Sequence, residues 1–474
     1  MVSLSPSGAR AGLLVAGLVL LSGMFSKAHA QEAPAAWKIP SNEDIRGLLA
    51  ERMQHNGVGM VVGVIEPAGQ RVVAYGRSGA RNHRALDGDT VFQLGSLSKP
   101  FVGLLLADMV RRGEVALDDP AQKYLPAGVK MPERGRPITL IDLSTHRSGL
   151  PSMPNNFRLD GEPNSIEAYT VDDLWQFLSN YQLTLDPGEK YRYSNTGVSL
   201  LGRLLALRAG TDYEPLLKER VLTPLGMKST AITVTRSMRA RLAPGHGPYL
   251  MPQYDPEMKT LQASGSVRST ANDMLRFVGA YLNAQASPLA DSMALQLRTR
   301  SPVDAGTALN WSVKKIGDRE IYTHEGGKLG YRTAVSFDLR TQTGVVVLQN
   351  ARTDDRPTAI ANYLLTGSAL KPAPAAPPPK PVVKLAPATL ERYVGRYRSK
   401  NGVVQVLHKH GYLLVAYEAG MPPLEFTASG EREFFYATGN DDLAFEADGT
   451  GAITGMRIYP DGKAAGKNEF AARE

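Results

Sequence analysis

An α+β fold followed by a small all-β barrel is the architecture this sequence predicts, and three observations predict it. Strand-like runs near residue 60 and near residue 340 read as two hairpins that combine into one antiparallel sheet flanked by helices. A proline-dense stretch, residues 371–381, cannot hold a helix or a central strand, because proline lacks the amide donor and fixes φ. Beyond it, short alternating pieces recur with Gly, Asp and Asn between them, the spacing of a small antiparallel barrel.

Residues 1–30 carry one early cation, Arg10, then an apolar run over 11–25 and Ala28-His29-Ala30 before Gln31. The run is short for a bilayer and ends in a small-x-small site, so residues 1–30 are expected to be a cleaved signal peptide and the mature chain to be secreted or periplasmic, with no transmembrane anchor. None of the 474 residues is cysteine, which excludes disulfides, a thiol nucleophile and a lipidated cysteine, and leaves stability to a core. With 43% hydrophobic and 21% charged residues, the chain has the means to bury one. The formal charge of +8, or +6 without Arg10 and Lys27, is spread out with no run of five basic residues, so nucleic acid is not an expected partner.

The first hairpin joins 57–66 to 71–76 across Pro67-Ala68-Gly69. Next comes Gln93-Leu94-Gly95-Ser96-Leu97-Ser98-Lys99, which opens an apolar run over 101–110. On a helix, residues three apart share a face with Cβ atoms about 5–6 Å apart, so the Lys99 amine is within reach of the Ser96 hydroxyl. Serine is a poor nucleophile until a base takes its proton, and a desolvated, neutral lysine can be that base. The free amide of Ser96 at the helix start can also help to bind an oxyanion. Ser312-Val313-Lys314-Lys315 repeats the spacing, but in a strand-like piece where residues three apart face opposite ways, so it is read as chance. The strands 311–313, 321–323, 334–338 and 344–348 complete the expected sheet.

Two later stretches give the Ser-x-x-Lys element its context: Tyr191-Arg192-Tyr193-Ser194-Asn195 supplies Tyr-x-Asn, and His324-Glu325-Gly326-Gly327 supplies His-x-Gly. A second Tyr-x-Asn, Tyr281-Leu282-Asn283, lies in a helical apolar pattern and reads as buried helix. In this order, and with the phrases His146-Arg147-Ser148-Gly149-Leu150-Pro151 and Leu222-Thr223-Pro224-Leu225-Gly226-Met227, the chain resembles the serine β-lactamase and DD-peptidase superfamily, especially its class C β-lactamase, DD-carboxypeptidase and esterase branch, over roughly residues 40–365. The resemblance implies a β-lactamase/transpeptidase-like fold, a mostly helical region over about 96–290, and a cleft between that region and the sheet. It implies catalytic roles for Ser96, Lys99 and Tyr193, with Lys99, Tyr193 or the coupled pair taking the Ser96 proton, and Tyr193 and His324 returning a proton to the leaving atom. Asn195, His324, Gly326 and Gly327 are the substrate-binding set it implies, with the amides of Ser96 and Gly327 as the oxyanion hole. No metal and no cofactor is expected.

The third element departs from the family, which usually has Lys-Thr-Gly or His-Thr-Gly there. Glu325 removes a hydroxyl and brings a negative charge that disfavours an anionic substrate end unless Lys328 or Arg332 compensates, or else it faces solvent by strand alternation. The expected domains are 1–30 signal peptide, 31–368 serine hydrolase, 369–385 proline-rich linker and 386–474 barrel, the last resembling the lipocalin-like tail of some superfamily members. His408 and His410 share a strand face but lack a third ligand at suitable spacing, so they are read as surface histidines without a metal. The barrel is expected to serve as an oligomer interface or a partial lid. The expected activity is that of an exported serine hydrolase, DD-carboxypeptidase- or endopeptidase-like on cell-wall peptides. Its alternatives are a β-lactamase, an esterase and a non-catalytic penicillin-binding sensor.

Overall fold

The computed structural model describes residues 37–474 apart from 57, 81–83, 157–164, 247–252, 254, 256, 329, 352–356, 373–379, 401, 410, 417–423, 437–440, 461, 464 and 465. Residues 1–30, most of the proline-rich stretch and His410 therefore lie outside the described residues. The Val-rich runs near residue 60 form β1 (Gly59–Glu66) and β2 (Gly69–Gly76), joined at a turn that needs Gly69 at φ +136. Two short strands, β3 (Val91–Gln93) and β4 (Arg268–Thr270), pair with each other away from the main sheet. The rest of the main sheet comes from β5 (Arg300–Ser301), β6 (Asp304–Ala308), β7 (Ser312–Ile316), β8 (Arg319–Lys328), β9 (Tyr331–Asp338) and β10 (Thr343–Gln349). Its order is β2-β1-β10-β9-β8-β7-β6-β5, antiparallel throughout, so the two ends of the hydrolase-like region meet where Met60 faces Gln349 and Ile65 faces Gly344. The chance Ser-x-x-Lys lies in β7, as expected.

Both faces of the central strands are covered, which is why β1 and β10 read as almost unbroken apolar runs rather than alternating ones. On one face Met60, Val62 and Val64 pack with Ile45 and Leu49 of the helix Asn42–Asn56 and Ile360 and Leu364 of the helix Pro357–Thr366. On the other, Val61, Val346 and Leu348 join the largest core, which holds Phe277 from the helix Ala271–Leu282 and Phe101 from the helix Lys99–Arg111. Every residue of Lys99–Met109 is buried, so over Pro100–Ala107 this helix is apolar on all sides because it has no solvent face there. Tyr281, 2% exposed, closes the helix Ala271–Leu282, in agreement with the buried reading of the second Tyr-x-Asn.

The C-terminal strands, from Gly395–Ser399 to Glu469–Arg473, make a closed barrel of eight, sealed where Tyr397 pairs with Arg473. Its interior is filled by Tyr393, Tyr397, Phe426, Phe434 and Phe445 among others, so it is a packed core. His408 is not at the surface in the expected way: its side chain is 12% exposed and its Nδ1 lies 2.8 Å from Glu391 Oε1. Among the described residues no group of three His, Asp or Glu side chains is arranged to hold a metal ion, and no helix is long and apolar enough to cross a membrane.

Candidate active site

Ser96 sits in a 3₁₀ turn, Gly95–Ser98, that runs directly into the helix Lys99–Arg111. Three residues per turn stack positions i and i+3, and Lys99 Nζ accordingly lies 3.0 Å from Ser96 Oγ. The turn is pinned on both sides. Leu94 N donates to Val267 O at 2.9 Å, and Ser98 Oγ donates to Gly95 O at 2.7 Å while accepting from Val267 N at 3.0 Å. From the sheet, Thr333 Oγ1 donates to Leu94 O at 2.7 Å. Gly95 takes φ +57, and a side chain there would press on the Gly327 backbone, so glycine is required where the turn meets β8.

Lys99 is fully buried, and its amine also lies 2.8 Å from Asn195 Oδ1 and 2.8 Å from Ser264 O. Burial pushes its pKa well below the ordinary lysine value. A neutral amine has two N–H groups and one lone pair; the two oxygens take the hydrogens, which leaves the lone pair for the Ser96 hydroxyl. The Tyr193 hydroxyl lies 2.7 Å from Ser96 Oγ on the other side, and burial holds that phenol well above its ordinary pKa despite the hydrogen bond to Ser96. The hydroxyl at position 96 thus sits between a base short of its proton and a phenol that keeps its own.

Tyr193 and Asn195 owe their positions to the start of the helix Asn195–Ala209. Ser194 caps it by accepting from Gly197 N at 2.8 Å, and the amides of Asn195 and Thr196 both reach Ser152 O, at 3.0 and 3.1 Å. His146 grips the same segment at three successive residues. Its carbonyl accepts from Arg192 N at 2.7 Å, its ring lies 4.6 Å from the Tyr193 ring, and its Nδ1 accepts from Ser194 N at 3.2 Å. It does so from φ +59, is 4% exposed, and lines the cleft beside Ser96. Sequence reading found its phrase but not this role, because nothing local says that residue 146 meets residues 192–194. The Ser264 carbonyl was missed for the same reason.

The opposite wall is β8. His324, Gly326 and Gly327 line a cleft of about 580 Å³ together with Ser96, Tyr193 and Trp311, so the predicted set is brought to one place, with Asn195 reaching it through Lys99. A methyl at Gly326 would collide with the Leu94 carbonyl and the Thr333 hydroxyl, which is how β8 comes so close to the serine turn. His324 Nδ1 faces the Glu325 carbonyl at 2.8 Å; a carbonyl only accepts, so Nδ1 carries the proton and Nε2 is an acceptor. Burial pushes its pKa down to about 3, so the ring is neutral, and Nε2, which carries no proton in this tautomer, is not the donor that the sequence suggested. Glu325 is exposed on the cleft wall, where Thr358 Oγ1 donates to its Oε2 at 2.7 Å. Of the two cations considered for compensating it, Lys328 is turned away to Asp255, 2.9 Å from its Oδ1, which also pairs with Arg268; Arg332 lines the cleft.

A family model described as Beta-lactamase matches residues 45–368. The D-alanyl-D-alanine-carboxypeptidase/endopeptidase AmpH of Escherichia coli (strain K12) is 32% identical over 296 residues, covering 60% of this chain and 74% of AmpH. Penicillin-binding protein 4* of Bacillus subtilis (strain 168) is 26% identical over 443 residues, 87% of this chain and 95% of that protein. Among solved structures, a β-lactamase/D-alanine carboxypeptidase from Yersinia pestis complexed with citrate superposes with a TM-score of 0.56 at 26% identity, over 65% of this chain and 92% of its own. One from Pseudomonas syringae, at 20% identity, shares the fold with a TM-score of 0.61 over 70% of this chain and 100% of its own.

Proposed function

The chain belongs to the beta-lactamase family of serine hydrolases, and on that premise we propose that it is exported and cleaves amide bonds of cell-wall peptides, as a DD-carboxypeptidase or endopeptidase does, through an acyl-enzyme on Ser96. We read residues 31–368 as the hydrolase domain, 369–385 as a linker and 386–474 as a separate barrel domain. The observation that carries the mechanism is the placement of Ser96 Oγ 3.0 Å from the buried Lys99 amine and 2.7 Å from the Tyr193 phenol.

Ser96 Oγ attacks the carbonyl carbon as its proton moves to the neutral Lys99 amine. The oxyanion lies against the amides of Ser96 and Gly327, the first at the start of the serine turn and the second on β8. As the carbon–nitrogen bond breaks, the Tyr193 phenol gives its proton to the leaving nitrogen, and the Lys99 ammonium restores the phenol. A net proton has then passed from Ser96 to the leaving group. Water enters by the same relay in reverse and frees Ser96. Asn195 keeps the amine aimed and, with His324, contacts the substrate.

The AmpH likeness supports a peptide substrate. The test is mass spectrometry of the protein after brief exposure to penicillin, a D-Ala-D-Ala peptide and a p-nitrophenyl ester, together with an assay of released D-alanine. The expected result is a mass gain on Ser96 that decays, D-alanine release, and neither in Ser96→Ala. Turnover retained by Ser96→Ala would refute the mechanism. Nitrocefin hydrolysis faster than D-alanine release would make the enzyme a β-lactamase, and an adduct that never decays would make it a sensor.

A further inference from the structure

Two charged side chains line the cleft without a part in the mechanism, Glu325 and Arg332, and of these Glu325 is the acidic one. It lies between His324 and Gly326 on β8, exposed, in the same cleft as Ser96 and Tyr193. Its charge is felt at the reacting centre, where it helps to raise the Tyr193 pKa, after the larger effect of burial. One oxygen is fixed by the Thr358 hydroxyl at 2.7 Å, and among the described residues no cation pairs with it. Of the neighbouring cations, Lys328 is committed to Asp255 and Lys99 is buried against Ser96, Asn195 and Ser264, while Arg332 lines the cleft on β9 beside Gly327. His324 adds no positive charge, since its ring is neutral. Aromatic surface lies in the same cleft, with Tyr191 49% exposed beside Tyr193. A carboxylate held by one hydroxyl, with an aromatic face in the same cleft, is a setting that attracts an ammonium group and repels a carboxylate.

We propose that Glu325 is a subsite for a positively charged group of the substrate, selecting peptides or esters that carry a primary amine near the scissile bond over those with a free carboxylate there. The proposal rests on Ser96 being the nucleophile, as argued above. A pair this exposed is worth little in bulk water, and partial desolvation in the cleft raises it, so the expected preference is about fivefold. It should shrink as salt is added.

Two matched series place the charge on either side of the bond. The leaving side is probed with N-acetyl-D-alanyl-D-alanine, its amide and its 2-aminoethylamide. The acyl side is probed with the p-nitrophenyl esters of adipic, hexanoic and 6-aminohexanoic acids. In at least one series the ammonium member should show kcat/KM about fivefold above the neutral one. That ratio should fall to about one in Glu325→Gln and drop below one in Glu325→Lys, where the anionic member takes the lead. No ammonium preference in either series, or the same preference in Glu325→Gln, overturns the subsite. Equal hydrolysis of the neutral members by the natural enzyme and by Ser96→Ala would instead overturn the Ser96 reading, whatever the ranking.

Discussion

At the scale of single residues, the placement of the serine, the amine and the phenol turns on groups that hold them still. His146 is the clearest, since one side chain and its carbonyl fix Arg192, Tyr193 and Ser194. His146→Gly relieves the positive φ but deletes the acceptor and the ring, and should lower kcat about 10- to 100-fold with little change in KM, as a misplaced proton donor does. His146→Asn keeps an acceptor near the Nδ1 position and tolerates this backbone, so it should recover a good part of the loss; equal kcat in the two variants would remove the positioning role. Lys99 gives a prediction in pH. Its lowered pKa means the amine is neutral, and kcat/KM maintained, well below the usual lysine range, and activity is lost as pH falls through that lowered value. Asn195→Asp would set a carboxylate 2.8 Å from the amine, favour the ammonium, and move the acid limb up by about 1–3 units. An unmoved limb would assign it to another group. Ser96 and Lys99 were legible because a three-residue spacing at a helix start is a local fact, and Tyr193 and Asn195 because the family resemblance gave the Tyr-x-Asn element its meaning. His146 and Ser264 act across the fold and left no local sign.

At the scale of elements, β8 carries the site by close approach, and its glycines show it. Gly326→Ala should cost at least about 100-fold in turnover and also stability, because its methyl meets the Leu94 carbonyl and the Thr333 hydroxyl. Gly47→Ala, in the helix Asn42–Asn56 with open space around it, should raise stability by about 0.5–1 kcal/mol. Thermal melts and initial rates of both variants check the contrast. The same scale shows where pattern reading failed. The alternating pieces that predicted the barrel are 403–407, 412–416, 424–426, 433–436, 443–445 and 456–458, and they leave out Gly395–Ser399 and Glu469–Arg473. Each buries one side chain, Tyr397 in the first and Ala471 in the second, too little to make a pattern. These are the two strands that pair to close the barrel. β5 and β6, short and polar at the sheet edge, escaped for a like reason.

At the scale of the whole molecule, the barrel interior and the two cores on either side of the main sheet share no residue. The three tryptophans, Trp37, Trp175 and Trp311, all precede the barrel. Trp175 and Trp311 pack with the sheet and its helices and Trp37 is exposed ahead of the first helix, so tryptophan fluorescence should follow the sheet and helices and not the barrel, while far-UV circular dichroism follows everything. Urea unfolding of the intact chain should give midpoints that differ between the two probes. Coincident midpoints would mean that barrel and sheet unfold as one. The order of assembly follows from the pairing of β1 with β10, where residue 60 waits for residue 349. While the ribosome is still short of β8, the nascent chain already holds the serine, the lysine and the phenol, yet has no wall to set against them. Hydrolysis is thus withheld by translation itself until almost the whole catalytic region has been synthesised.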